Sequence, residues 1–242
     1  MSPHVTPARL LILIPAYNEQ AAIRGVVSGV RQVVPQADVL VVDDGSADDT
    51  ARQAELAGAF VVRHPFNLGI GGTVQTGLKF AQRQGYDLVI RVDGDGQHDP
   101  HDIPLLHSAL LAGQADVVIG SRFLDTPHNL PIPRLRRLGI RVFALMVSLL
   151  TGCRATDTTS GFFALNRRAI DTLVAYMPQD YPEVEGRIVL HKAGLTAIEI
   201  PARMRARLSG VTSITAWRSI YYAVKVSLAA SIGILKDIPP AT

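Results

Sequence analysis

The stretch Val89-Ile-Arg-Val-Asp93-Gly-Asp95-Gly-Gln97-His98-Asp99-Pro100 closes an apolar run with two aspartates two residues apart. On a chain turning off a strand, both carboxylates can reach one hard cation. Without a cation they repel and raise each other's pKa, whereas a Mg²⁺ or Mn²⁺ bridging substrate phosphates removes that conflict. Gln97 can add a neutral oxygen. An isolated Asp-x-Asp beside glycines is more often a turn, so the surrounding elements decide between the two readings. Asp99-Pro100 reads as a helix start whose acidic Ncap is structural.

From Leu10 to Gly120 short β-rich runs alternate with helical patterns, the signature of βαβ units building a parallel sheet. Strands are expected at residues 10–14, 39–42, 60–63, 88–92 and 117–119. In an open parallel sheet the ligand crevice lies beyond the carboxyl ends of the strands. Loops 15–19, 43–46, 67–72, 93–100 and 120–123 should therefore converge there. The run Asn67-Leu-Gly69-Ile-Gly71-Gly72 is not a dinucleotide fingerprint, because Val74 stands where G-x-G-x-x-G needs its last glycine. It reads as a glycine-rich helix start that lets backbone approach closely.

With these elements in place the chain resembles glycosyltransferase family 2, and within it the dolichyl-phosphate and polyprenyl-phosphate mannose or glucose synthases. The resemblance rests on Pro15-Ala-Tyr-Asn-Glu19, Val41-Val-Asp-Asp-Gly-Ser46, Asn67-Leu-Gly-Ile-Gly71, Asp93-Gly-Asp-Gly-Gln97, Gly120-Ser-Arg122 and Asp157-Thr-Thr-Ser-Gly-Phe162, in the family's order and spacing. It implies an α/β fold of the GT-A type, a mostly parallel central sheet flanked by helices, with amphipathic helices at the C-terminus. It also implies a metal triad of Asp93, Asp95 and Gln97, with Gly94 belonging to the same donor loop. Pro15, Tyr17 and Glu19 would form the first nucleotide-contacting loop, with Asp44 reading the base. A tyrosine face can lie against a base, and a carboxylate can accept from imide or ribose donors. Asp43 reads instead as a turn residue, and Ser46 with Asp49 as a helix-capping pair.

On the acceptor side, Arg122 follows an apolar strand and could meet a diphosphate with a planar fork of donors. Asp157 matches the family's acceptor-proximal motif, as a candidate for positioning the acceptor or handling a proton. Glu183 and Glu185 lie two apart and point to different sides of a helix; the resemblance favours Glu185. Glu199-Ile-Pro201 matches the strand that follows. The basic run Arg203-Met-Arg205-Ala-Arg207-Leu-Ser-Gly210-Val-Thr-Ser213 loosely matches a segment that closes over the diphosphate in the family, which carries Arg207 and Ser213 to the donor site.

The whole chain has 242 residues, 48% of them hydrophobic, enough for one sizeable core. Residues 1–216 are read as the catalytic domain, about 10–122 holding the nucleotide sugar and 123–216 the acceptor, with 217–242 an amphipathic tail. A formal charge of +3 favours anionic ligands without demanding nucleic acid, and none is expected as a partner. A single cysteine, Cys153, excludes an internal disulfide framework and fits a cytoplasmic setting.

No apolar run reaches the length of a spanning helix, and no secretory signal opens the chain. Residues 125–133, with three prolines, read as a loop. After it, Arg134, Arg137 and Arg141 share one helical face, while Leu135, Leu138, Val142, Leu145 and Leu149 share another. Trp217, Tyr221 and Tyr222 open a second amphipathic stretch. Both fit a helix lying on a bilayer, peripheral at its cytoplasmic face, or packing on the sheet or a second subunit, so a homo-oligomer is left open.

The expected reaction is metal-assisted transfer of a sugar from a UDP- or GDP-linked donor to a polyprenyl phosphate, with inversion; a saccharide or glycolipid acceptor is the alternative. A sugar nucleotidyltransferase also uses paired acids, but opens with a G-x-G-T-R-type loop that Pro15-Ala-Tyr-Asn-Glu19 does not match. A silent binding module would have no need of the metal and acceptor motifs.

Overall fold

The computed structural model describes residues 8–124, 134–178, 182–205 and 238–241. Along the chain run β1 (Leu10–Ala16), α1 (Ile23–Val33), β2 (Asp38–Asp43), α2 (Thr50–Leu56), β3 (Phe60–Arg63), α3 (Gly69–Arg83), β4 (Leu88–Arg91), α4 (Ile103–Leu111), β5 (Val117–Ser121), α5 (Arg134–Thr151), β6 (Phe163–Leu165), α6 (Arg167–Tyr176), α7 (Pro182–Lys192) and β7 (Ala197–Pro201). The strands form one sheet in the order β3-β2-β1-β4-β6-β5-β7. The five strands expected before residue 120 are all present, and β7 contains the expected Glu199-Ile-Pro201. Among the strands of the described residues only β6 runs against its neighbours, pairing antiparallel with both β4 and β5.

Alternation along the strands builds a core on each face of the sheet, because successive side chains point to opposite sides. Ile12, Ile14, Val39, Val41 and Ile90 meet Ile23, Val27 and Val30 of α1 and Leu106 of α4. Leu11, Leu13, Leu40, Val42 and Val89 meet Val74 and Leu78 of α3 and Ile170 and Leu173 of α6. Each fully buried Leu, Ile or Val of this kind contributes about 1.5–3 kcal/mol of transfer free energy. Helix α1 is set for this role by its apolar spacing at Ile23, Val26, Val27 and Val30, all buried.

The reversed β6 brings the later motifs to the crevice. Phe163, its first residue, pairs with Arg91 at the end of β4 and with Ile119 near the end of β5. The segment just before it, which carries Asp157 and Gly161, therefore arrives at the same sheet end as the loops that follow β4 and β5.

Helix α5 spans the residues, Arg134 to Leu149, whose spacing reads as helical. Its Phe143 and Val147 are buried with Val184 of α7, whereas Arg141, Val142, Leu145 and Leu149 are exposed. No helix among the described residues is long and apolar enough to cross a membrane.

Two local expectations are corrected. Ser46 does not cap α2 with Asp49: its backbone N–H and its hydroxyl both donate to Asp43 Oδ1. Asp48 instead accepts from the N–H and hydroxyl of Thr50. Asp43 is more than a turn residue; it is fully buried, and Arg63 Nε stands 3.2 Å from its Oδ2. The expected loop 125–133, Arg207, Ser213, Trp217, Tyr221 and Tyr222 lie outside the described residues.

Candidate functional site

The first loops of the crevice are tied to one another by backbone-directed bonds. Pro15 and Ala16 end β1 beside Val42 and Asp43 of β2, and Asp44 N–H donates to Ala16 O at 2.9 Å. Asn18 adopts the left-handed region at φ 54°, which asparagine tolerates better than most residues. Its side-chain Oδ1 accepts from Ala47 N–H, and its N–H donates to Ser46 Oγ. Glu19 opens the turn that leads into α1, its carbonyl accepting from Ala22 and Ile23 N–H, and its own N–H donates to Thr50 Oγ1. Tyr17 is left projecting, 48% exposed, at the mouth of the crevice.

Asp44, expected to read a base, is nearly buried and braces the next loop. Its Oδ1 accepts from Leu68 N–H at 2.8 Å and pairs with His64 Nδ1 at 2.8 Å, and its Oδ2 accepts from Gly69 N–H. A carboxylate at the first turn of a helix is favoured by the unpaired N–H groups there. Contact with a base would add to this bracing role.

In the acidic loop, Asp93, Asp95 and Gln97 follow β4. Gly94 is buried so closely beneath the end of β1 that a Cβ would stand 3.1 Å from Pro15 O, so only glycine lets the two loops meet without a shift. Asp95 Oδ1 accepts from Gln97 N–H, closing a tight turn. Asp93 N–H donates to His98 Nδ1, whose ring stacks on Phe162 at 4.9 Å. Burial pushes the Asp93 carboxyl up, but Arg91, His98 and Arg122 together outweigh it and hold it below the usual carboxylate range. Burial drives His98 down, against the pull of Asp93 and Asp95.

Among the described residues no three His, Cys, Asp or Glu side chains form a cluster that could hold a metal ion. The expected set has two carboxylates and an amide oxygen, all hard donors, and Mg²⁺ is commonly held by one or two carboxylates with substrate phosphates completing its shell. An ionised Asp93 beside Asp95 fits that chemistry.

Arg91 is a charged residue buried in an otherwise apolar strand. Its Nε and Nη2 donate to Asp93 Oδ1 at 3.2 and 2.9 Å, and Nη1 donates to Glu183 Oε1 at 2.8 Å. The guanidinium also lies 5.5 Å from the centre of the Phe163 ring. Sequence reasoning passed over both Arg91 and Glu183. The signal for Arg91 was a charge inside an apolar strand, which must find a partner when buried. Glu185, two residues beyond Glu183 on α7, is half-buried.

Arg122 and Asp157, both expected from sequence, are brought together. Arg122 Nε donates to Oδ2 and Nη2 to Oδ1, each at 2.6 Å, and its backbone N–H donates to Oδ2 as well. Beneath this pair Glu199 of β7 accepts from Thr156 N–H and hydroxyl and from Asp157 N–H. Arg187 Nη1 reaches both Glu199 Oε1, at 2.7 Å, and the Asp157 carbonyl. Asp157, Thr158, Glu183 and Arg187 line a cavity of ≈ 30 Å³.

The chain leaving β7 runs beside the acidic loop. Arg205 N–H donates to Gln97 O, Met204 pairs with His98, and Arg203 bonds the buried Asp102 through its backbone and guanidinium. Arg205 thus lies beside Gln97.

The family model described as glycosyl transferase family 2 matches residues 11–174, and the chain belongs to that family. It is 32% identical over 216 residues to an undecaprenyl-phosphate mannosyltransferase of Micrococcus luteus, covering 86% of this chain and 88% of that one. It is 29% identical over 213 residues to a UDP-N-acetylglucosamine–dolichyl-phosphate N-acetylglucosaminyltransferase of Methanococcus voltae, covering 80% and 84%. The fold matches glucosyl-3-phosphoglycerate synthase of Mycobacterium tuberculosis, crystallised with Mn²⁺ and UDP-glucose, with a TM-score of 0.71 at 22% identity over 94% of this chain and 79% of that one. The architecture is that of the GT-A glycosyltransferases.

Proposed function

We propose that this glycosyltransferase moves a hexosyl group from a nucleoside diphosphate to a polyprenyl phosphate, with inversion at the anomeric carbon. The observation that carries this reading is the saturation of Asp157. Its carboxylate accepts from three donor groups of Arg122, so its oxygens are engaged in a closed ion pair rather than set as a base awaiting a hydroxyl proton. A phosphate acceptor already carries its nucleophilic oxygen and needs little proton removal. The lipid-phosphate names of two of its relatives point the same way.

In this reading Pro15, Tyr17, Glu19 and Asp44 bind the nucleoside, and Asp93, Asp95 and Gln97 hold Mg²⁺ or Mn²⁺. When bound, that ion neutralises charge building on the leaving diphosphate. Arg122, its fork held by Asp157, positions the edge of the acceptor half, and Arg207 and Ser213, outside the described residues, serve the diphosphate. Glu185 orients the acceptor from α7. Residues 10–122 serve the donor and 123–216 the acceptor. The exposed Val142, Leu145 and Leu149 beside Arg141 rest on the surface of the membrane that holds the lipid.

The test supplies UDP- and GDP-hexoses with polyprenyl phosphate, polyprenol or a soluble glycan, and follows nucleoside diphosphate release and the anomer formed. Release that requires the phosphate, with an inverted product, is expected. Equal release with polyprenol or glycan would overturn the acceptor assignment, and a retained anomer would overturn the mechanism.

A further inference from the structure

We propose that Arg91 is a positioning residue for the metal-bearing loop, orienting Asp93 and fastening it to the acceptor-side helix α7 through one buried guanidinium. The inference rests on the reading of Asp93 as a cation ligand and extends it to a side chain that acts through Asp93.

Arg91 is 3% exposed at the end of a strand paired on both sides, where its own strand otherwise supplies Leu88, Val89 and Ile90. A buried guanidinium is tolerated only when its donors are matched. Here they are matched in two directions. One edge of the fork serves Asp93 Oδ1 and another donor serves Glu183, 92 residues further along the chain. Both bonds from Arg91 to Asp93 end on Oδ1, while Oδ2 carries none from Arg91 and has His98 Nε2 3.8 Å away.

A third part of the chain is shaped around the same contact. A Cβ on Gly161 would stand 2.6 Å from Asp93 Oδ2 and 2.8 Å from Arg91 Nη2, so the Asp157-Thr-Thr-Ser-Gly-Phe162 segment lies flush against the pair. Glu183 supplies the second negative charge that lets one arginine pair with Asp93 without cancelling it. Only a planar fork spans the two acids; a lysine is a point charge and serves one at a time. The donor-side carboxylate and the acceptor-side helix are therefore held by the same group, and loosening one loosens the other.

The experiment measures Mn²⁺ affinity in the presence of UDP from the Mn²⁺ paramagnetic resonance signal, which needs no turnover. It compares the parent chain, Arg91→Lys, Arg91→Gln, Glu183→Gln and the Arg91→Gln/Glu183→Gln double variant. Removing a partner that orients a metal ligand typically weakens binding about 10–100-fold, and that loss is expected for both Arg91 variants. Glu183→Gln should move in the same direction by a smaller factor. The double variant should bind no more weakly than Arg91→Gln alone, because Glu183 acts through Arg91.

Parent-like Mn²⁺ affinity in Arg91→Lys, or independent losses that multiply in the double variant, would overturn the inference. If the Arg91 variants do not fold, parent-like affinity in Glu183→Gln, which leaves Arg91 in place, overturns it as well. A parent chain that fails to bind Mn²⁺ with UDP removes the metal reading itself, and with it this one, and that failure is read on the unmutated protein.

Discussion

Arg122 and Asp157, 35 residues apart in the chain, meet edge to edge, with two guanidinium nitrogens each 2.6 Å from a separate carboxylate oxygen. Asp157 is buried and Arg122 nearly so, with side-chain exposures of 0% and 13%. Removing one partner of such a pair strands a charge, at a cost of about 3–5 kcal/mol. Asp157→Ala should therefore lower the unfolding free energy by roughly that amount as well as activity. Arg122→Lys keeps the charge but loses the parallel bonds, so it should retain more stability than Asp157→Ala. Denaturant unfolding of the two variants checks the order.

Metal dependence should run through Asp95. Asp95→Asn keeps the shape and removes a charge where the diphosphate departs, and loss of such an electrostatic stabiliser costs about 10²–10³-fold in kcat. EDTA should abolish turnover, and added Mg²⁺ or Mn²⁺ should restore it. Parent-like rates for the variant, or full activity in EDTA, would remove the Asp93–Asp95 pair from the mechanism.

Asp44→Ala should weaken nucleoside diphosphate binding and lower the melting temperature together, because the carboxylate braces the turn at the start of α3. Calorimetry with UDP and GDP separates the two effects. Lower stability with unchanged affinity for both nucleotides would leave Asp44 as a brace alone.

Asp116 gives a pH prediction. Burial raises its carboxyl, but the N–H of Thr196, Asn166, the Thr196 hydroxyl and Arg168 outweigh this and hold it below the usual range. A folded value below the unfolded value of about 3.9 means that the stabilisation is complete above that pH and is lost as pH falls through the folded value. Hydrogen bonds to a charged group are worth about 1.5–3 kcal/mol. Asp116→Asn should thus be less stable than the parent at pH 7 by an amount of that order, and the gap should narrow below about pH 4. A gap independent of pH would contradict the assignment.

At a membrane, Arg134, Arg137 and Arg141 should add roughly 1 kcal/mol each near an anionic leaflet before screening. Co-sedimentation with anionic liposomes should weaken at high salt and on changing all three to Glu. Sedimentation insensitive to both would assign the exposed stripe of α5 to a protein partner.

The strands were legible because β-branched runs end in Asp, Gly or Pro, and the acidic pair because it sits where such a run turns. β6 was not, since three residues cannot display a period of two. Asp44 was found but its bracing bonds were not: they depend on where His64 and the Leu68 and Gly69 N–H groups fall in space. Glu183 was passed over for the same reason. Nothing in α7 marks which of its two glutamates will meet an arginine 92 residues earlier in the chain, and the clue lay with Arg91, a charge in a strand too apolar to leave it alone.

The reversed β6 has a consequence for how the molecule is made. β1 to β4 reach their places through sequential strand–helix–strand steps, which close short loops and form early on simple chain statistics. The strip before β6 can dock only after the chain has passed through β5 and α5 and turned back between β4 and β5, and Arg91 keeps its Glu183 partner waiting longer still. Asp93 can gain its full setting only once Gly161 and Glu183, both later in the chain than β4, have been made. The surroundings of the acidic loop are thus completed by β6 and α7, segments made well after it.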